Sequence, residues 1–390
     1  MERLAIGLRA GSLGWPFSGA SEDRRASGTA RIGSAHRLFG FQNVNPGYYQ
    51  QVRETETPKK LLLLVGSLIL VLSSAEGVLR MFPLLRPHPR TYVGEYKNRL
   101  AWRSISPDPQ LGWKMRPHVS PNHEYNAQGF RSLSDFYPNQ PCKTIAFAGD
   151  SFTFGVSTKY DKTFPSLVQA GVDGSCAANM GIPGFGLDQM WQTVRTQALP
   201  LHPKLAVVSF IGGDLTRSQY AYDLFLGANK PAFKLADGRL VPKTAEDNPN
   251  FLFRFLENHS SLWRVWKLAD QTLARFYPHG EWWNLNAAIL DAIREDCRRD
   301  GVPLLFVYIP SHEREVAFRS LRAYMANNHA SFIDLSQGEF TLTPDMYIPG
   351  DGHLNDKGHR RVADAVLRWL QTNTALGSGD ESMLAAGNPR

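Results

Sequence analysis

Five short runs of almost unbroken apolar residues recur along the chain from residue 144 onward. They lie at 144–148 (TIAFA), 176–180 (CAANM), 205–210 (LAVVSF), 303–308 (PLLFVY) and 331–334 (SFID). A strand covered on both faces reads this way, because neither set of alternating side chains meets water. Between the runs, stretches near 163–172, 186–198, 284–300 and 355–372 have helical character, and Ala-Ile-Leu-Asp-Ala-Ile-Arg at 288–294 carries a clear apolar stripe. Strand–helix alternation predicts a three-layer α/β/α domain around a central, mostly parallel five-stranded sheet. Ligands in such folds sit beyond the carboxyl ends of the strands. Ser151 falls there after the first run, Gly184 after the second and Asp214 after the third.

One segment breaks the pattern. Lys59-Lys60 precedes an uncharged run from Leu61 to Ala75, and apolar residues resume after Glu76 through Leu79. A bilayer crossing takes about 20 apolar residues, so 59–80 fits a transmembrane anchor with Glu76 at the interface. Lysines before it and the larger folded region after it predict a single-pass signal anchor, N-terminus inside and the folded domain extracytoplasmic, periplasmic in a Gram-negative cell. A cleavable signal peptide with a small-residue site at Ser73-Ser74-Ala75, or a buried core helix, are the alternatives.

Residues 1–58, rich in Gly, Ser and Arg, are expected to be a disordered tail, 81–104 a linker, 105–372 the folded domain and 373–390 a second disordered tail. Residues 101–135 look irregular, with turn signals at Leu111-Gly-Trp113 and Asn126-Ala-Gln-Gly-Phe-Arg131. Residues 215–282 interrupt the alternation as an aromatic-rich insertion that includes Tyr220, Tyr222, Phe225, Phe233, Phe251, Phe253, Phe255, Trp263, Trp266 and Trp282, with Trp283 at its edge. These aromatics either build the insertion's own small core or form a wall or lid over the site.

Composition adds mainly exclusions. The net charge of +7 over 390 residues is spread rather than striped, so nucleic acid is not expected as a partner. The three cysteines, Cys142, Cys176 and Cys297, include no Cys-x-x-Cys, which argues against a thiolate metal site. Cys142 and Cys176 flank two expected strands; if those strands are neighbours the pair can form a disulfide outside the cytoplasm, or both can be buried free thiols.

The chemistry-bearing residues are Ser151, in Gly149-Asp-Ser-Phe-Thr-Phe-Gly155, and Asp351-Gly-His353 just before the last helix. A serine hydroxyl becomes a useful nucleophile when an imidazole takes its proton and a carboxylate fixes the imidazole's tautomer. Ser151 could instead merely cap a helix. His359, six residues past His353, reads as structural at the start of the last helix, since the Asp351/His353/His359 spacing fits no helix face for a metal. Thr153 in place of a second glycine removes the Gly-x-Ser-x-Gly elbow of the α/β-hydrolases.

The Gly149–Gly155 block resembles the first block of the SGNH (GDSL-type) hydrolases. Asn179-Met-Gly-Ile-Pro-Gly184-Phe-Gly-Leu-Asp-Gln189 is similar to the second, and Asp351-Gly-His353-Leu-Asn-Asp-Lys-Gly358-His359 to the last. The resemblance covers roughly 105–372 and implies a flavodoxin-like fold. It also implies Ser151 as nucleophile, His353 as general base, Asp351 as its orienter, and an oxyanion hole from Ser151, Gly184 and the third-block position. That position is Asn in the family and Gly213 here, and Asp-x-His replaces the commoner Asp-x-x-His. Asp150 and Asp214 are implied to support the site from behind. The expected activity is acyl-ester cleavage through an acyl-serine. Its substrate would be a carbohydrate O-acetyl group or a lipid ester, with no metal or organic cofactor. O-acyl transfer to envelope glycans, with a membrane-embedded acyl-donor protein as partner, and a degenerate glycan-binding domain are the alternatives.

Overall fold

The computed structural model describes residues 46–82, 105–117, 124–223, 228–243, 255–256, 259–274, 282–311 and 318–373. The expectations for 1–45, 83–104 and 374–390 lie outside them, as do Phe225, Phe251 and Phe253. Two compact units are distinguished, residues 1–66 and 67–390. The first contributes the N-terminal part of a long helix, α1 (Pro46–Leu79); the second holds the sheet and everything packed on it. Helix α1 begins well before the anchor expected from Lys59, because residues 48–57 contain neither glycine nor proline to stop it. Its segment Pro58–Leu79 is apolar and long enough, by length and composition, to cross a membrane.

The sheet contains β1 (Lys143–Gly149), β2 (Ser175–Gly181), β3 (Leu205–Phe210), β4 (Leu304–Tyr308) and β5 (Phe332–Asp334). Every pairing is parallel and the spatial order is β2-β1-β3-β4-β5. Alternation along the strands builds two cores. Ile145, Phe147, Leu205, Val207, Leu305 and Val307 point to one face, where α3 (Phe164–Ala170) and the last helix, α9 (Asp356–Asn373), cover them. Ala148, Ala206, Val208, Phe210 and Phe306 point to the other, under α4 (Leu187–Thr193), α7 (Trp282–Arg299) and α8 (Phe318–Asn327). Burying a side chain such as Phe147 or Phe306 stabilises by about 1.5–3 kcal/mol, and these layers hold many of them.

The lead-in is more ordered than its sequence suggests. Ile105–Asp108 and Gly112–Met115 pair as an antiparallel hairpin. Trp113, fully buried, donates Nε1–H to the Pro183 carbonyl at 3.0 Å, and Gln189 donates to the Leu111 carbonyl at 2.7 Å. The hairpin therefore braces the turn after β2 that carries Gly184. Cys142 and Cys176 form a disulfide with Cα atoms 5.8 Å apart, tying the amino ends of β1 and β2. Cys297 is a buried free thiol.

Among the described residues, aromatics of 215–282 and its edge pack on the main core. Phe233, on the hairpin Phe233–Ala236/Arg239–Pro242, is buried against Trp191 at 5.0 Å, and Trp282 and Trp283 pack on the main core. Trp266, on α6 (Ser261–Ala274), is 52% exposed.

Candidate active site

Strand β1 ends at Gly149, where nothing larger fits: a Cβ there would stand 1.8 Å from Thr153 Oγ1. The chain turns directly into α2 (Ser151–Phe154). Asp150 is its N-cap, with Oδ1 accepting the Phe152 N–H at 2.9 Å. Ser151 is thus the first helical residue and not the cap, which leaves its hydroxyl free for the cleft.

On the other side of the cleft, the loop before α9 presents His353. Its Nε2 lies 2.9 Å from Ser151 Oγ and its Nδ1 lies 2.5 Å from Asp351 Oδ1. The hydrogen bond from His353 holds the Asp351 carboxyl below the usual carboxylate range. An ionised carboxylate only accepts, so Nδ1 carries the imidazole proton and Nε2 is the acceptor facing Ser151. Asp150 Oδ2 is also within 3.4 Å of Ser151 Oγ, but the hydroxyl has one proton and the imidazole is closer. The Phe152 ring packs against the His353 ring at 5.0 Å between centroids and limits its swing.

Two latches fix the loops. Ser157 donates to Asp351 Oδ2 at 3.0 Å. Asp356, the first residue of α9, accepts from Thr158 Oγ1 at 2.6 Å and Lys162 Nζ at 2.7 Å. Beneath the nucleophile loop Arg131, almost fully buried, donates to the carbonyls of Phe154 (2.9 Å), Gly155 (2.5 Å) and Thr158 (2.7 Å), and pairs with Glu124 at 2.9 Å. The Gly-Phe-Arg signal thus marks a brace under the nucleophile loop. A single basic residue beside buried apolar ones was the clue available.

The oxyanion-hole candidates come from three elements. The N–H groups of Ser151 and Gly213 belong to the first turns of α2 and α5 (Gly212–Arg217), where a helix leaves donors unpaired. Gly184 sits in the turn after β2 at φ 84°, a conformation that glycine adopts without strain. A Cβ on Gly213 would meet only the Ile211 side chain, Cδ1 at 3.4 Å and Cγ1 at 3.8 Å, so the position has room for a side chain.

Behind the site lies a buried charge cluster that sequence reasoning saw only in part. Asp150 and Asp214 are both fully buried. Arg217, the last residue of α5, forms a close ion pair with Asp214, reaches to 3.7 Å from Asp150 and donates to the Phe185 carbonyl at 3.3 Å. Burial pushes the Asp150 carboxyl up, with the Arg217 charge opposing; burial and the neighbouring Asp150 charge push Asp214 well up. Asp214 also accepts the Ile211 N–H at 2.9 Å, fixing the start of α5. A second buried pair, Lys230 with Asp188, secures α4. Arg217 and Lys230 carry no local motif, and their partners become visible only in three dimensions.

His359 is structural, as its position suggested. It is buried, stacks on Phe164 at 6.0 Å, and its Nδ1 accepts the Phe164 N–H at 3.3 Å. Burial pushes its pKa down to about 3. Among the described residues no group of His, Cys, Asp and Glu is arranged to hold a metal ion.

Comparison with family models and with curated protein sequences finds no match. Among solved structures the chain is similar to GDSL-type lipolytic enzymes. A lipase/acylhydrolase from Enterococcus faecalis is 14% identical, with 59% of this chain and 96% of that one covered and a TM-score of 0.35. The psychrotrophic esterase EstA from Pseudoalteromonas sp. is 10% identical, with 59% and 97% covered and a TM-score of 0.35. A member of the lipolytic protein G-D-S-L family from Veillonella parvula is 12% identical, with 58% and 97% covered and a TM-score of 0.32.

Proposed function

We propose that the chain is a membrane-anchored serine esterase of the SGNH type, acting on acyl esters through an acyl-serine intermediate. The observation that carries this is the unbroken Ser151–His353–Asp351 hydrogen-bond chain at the carboxyl end of β1. As Ser151 Oγ attacks the ester carbonyl carbon, its proton passes to His353 Nε2, and Asp351 stabilises the imidazolium that forms. The N–H groups of Ser151, Gly184 and Gly213 stabilise the oxyanion. Collapse breaks the ester C–O bond, and His353 returns the proton to the departing alkoxide. Water then attacks the acyl-serine, giving up its proton to His353, and the carboxylic acid leaves as Ser151 regains its proton.

Asp150, Asp214 and Arg217 position the nucleophile loop without entering the chemistry. The apolar segment Pro58–Leu79 supports a single-pass anchor, and Lys59-Lys60 before it favours an inward N-terminus. The Cys142–Cys176 disulfide supports an extracytoplasmic catalytic domain. Carbohydrate O-acetyl groups and lipid esters are the substrate classes such a location supplies. Transfer of the acyl group to a sugar hydroxyl, supplied by a membrane-embedded donor protein, would use the same three residues with the sugar in place of water.

The test uses the full chain in nanodiscs with p-nitrophenyl acetate and a fluorophosphonate probe. Hydrolysis and labelling at Ser151 are expected, with a loss of about a thousandfold or more in Ser151→Ala and His353→Ala. Equal rates in all three proteins would end the esterase reading. A glycan acceptor that diverts product from acetate to acetylated sugar would favour transfer.

A further inference from the structure

Helix α6 is turned inside out. Leu262, Trp266, Ala269 and Leu273 recur at i, i+4, i+7 and i+11 and form one apolar stripe. A helix of a water-soluble domain buries such a stripe. Here Trp266 is 52% and Leu273 54% exposed, and Ala269 is exposed with them. The polar side faces the protein instead: Arg264 is buried, and Asp270 accepts a hydrogen bond from Tyr220 at 3.2 Å. Lys267 lies over the rings of both Trp263 (5.9 Å) and Trp266 (5.6 Å).

The amino end of α6 is fastened to the end of α1. Glu76 accepts from Ser260 Oγ (2.9 Å) and from the backbone N–H groups of Ser261 (2.7 Å) and Leu262 (3.0 Å), so it caps α6 from another helix. Arg80 bonds both to Glu76 and to the His259 carbonyl. Glu76 and Arg80 close the apolar segment Pro58–Leu79, at the level where a spanning helix leaves hydrocarbon for headgroups.

We propose that α6 is an interfacial helix, its Trp266/Ala269/Leu273 face embedded in the headgroup–acyl boundary of the bilayer that α1 crosses. The proposal rests on α1 being a membrane span. The occupant follows from that continuity: a helix capped by the last turn of a span starts at the membrane surface. Its outward residues include the tryptophan and leucine that such a surface favours, with the Lys267 ammonium beside the Trp266 ring. The catalytic domain is then held at two places, by a tether and by a contact surface, and cannot swivel freely about the tether.

The test is spin-label accessibility in the full chain in nanodiscs of phosphatidylethanolamine and phosphatidylglycerol. Labels are placed singly by Trp266→Cys, Ala269→Cys and Leu273→Cys, with Leu68→Cys reporting on the span. The native thiol of Cys297 interferes little, because burial pushes its pKa up to about 12. Expected is a severalfold preference for collision with oxygen over a water-soluble nickel chelate at all three α6 sites as well as at Leu68. A lipid signal at Leu68 with chelate access at the α6 sites overturns the interfacial helix and leaves the span intact. So does protection from both reagents there, which would mean a protein partner or a second copy. Chelate access at Leu68 removes the span and the proposal together.

Discussion

Ser157 donates its hydroxyl to Oδ2 of Asp351 at 3.0 Å, while Oδ1 of the same carboxylate receives His353. Ser157 reaches this position at φ 66°, where a residue with a Cβ is strained. Losing one charge-assisted hydrogen bond from an exposed donor costs about 1 kcal/mol, or about fivefold in rate. Ser157→Ala and Ser157→Gly are both expected to lower kcat by that amount with KM little changed. The glycine variant should melt higher than the alanine variant, since it relieves the strain. Steady-state kinetics and thermal denaturation of the two variants check this; an unchanged kcat would show that Asp351 does not need its second partner.

Gly213 stands where a side-chain oxyanion donor is expected, and its surroundings leave space for one. Removing a donor of this kind typically costs about 10²–10³ in rate. Gly213→Asn is therefore expected to raise kcat/KM for p-nitrophenyl acetate, by about tenfold or more. Gly213→Ala, which fills the space without a donor, should not. A fall in rate with asparagine would mean that the glycine's open space admits substrate.

Arg217 is the cation beside the two buried carboxylates Asp150 and Asp214. Stripping a buried pair of its cation typically destabilises by about 3–5 kcal/mol. In Arg217→Met, burial loses the cation that opposes it, and both carboxyl pKa values rise further. A carboxyl whose folded pKa lies above its unfolded value binds its proton more tightly when folded, so stability declines as pH rises through that window. The deficit of Arg217→Met against the native chain is expected to be larger at pH 8 than at pH 5. Denaturation of both proteins at the two pH values measures it, and a pH-independent deficit would assign the loss to packing.

His359 gives the opposite pH signature. Its folded pKa of about 3 lies below the ordinary value near 6.5, so the unfolded chain takes up the proton first as pH falls. The native chain should lose stability progressively from about pH 6.5 downward, by about 2 kcal/mol at pH 5 from this group alone. His359→Asn is expected to be less stable at pH 7.5 but to show a flatter acid limb. Identical acid limbs would mean that another group governs the transition.

The sheet was legible because β1 to β4 are buried along nearly their whole length and read as apolar runs, and the alternation with helices follows from that. The lead-in hairpin was not, since its strands are four residues each, too short for period-two alternation to stand out beside Pro107 and Gly112. Helix α6 was hidden for a different reason. An apolar stripe is normally taken as a core face, and this one faces outward. Ser151, Asp351 and His353 could be found because the chemistry demands those three residue types in fixed company. Arg131, Ser157 and Arg217 act through long-range contacts with backbone carbonyls or carboxylates, which leave no local trace. The disulfide was open until β1 and β2 proved to be neighbours in the sheet.

His353 and Ser151 are 202 residues apart in the chain. During synthesis, then, the hydroxyl emerges long before any base exists to activate it. A chain halted anywhere short of residue 353 carries the serine without its base. Completion of α9, clasped through Asp356 to Thr158 and Lys162, is what brings the imidazole within reach. The topology thus doubles as a timing device that keeps base and hydroxyl apart until the chain is nearly complete.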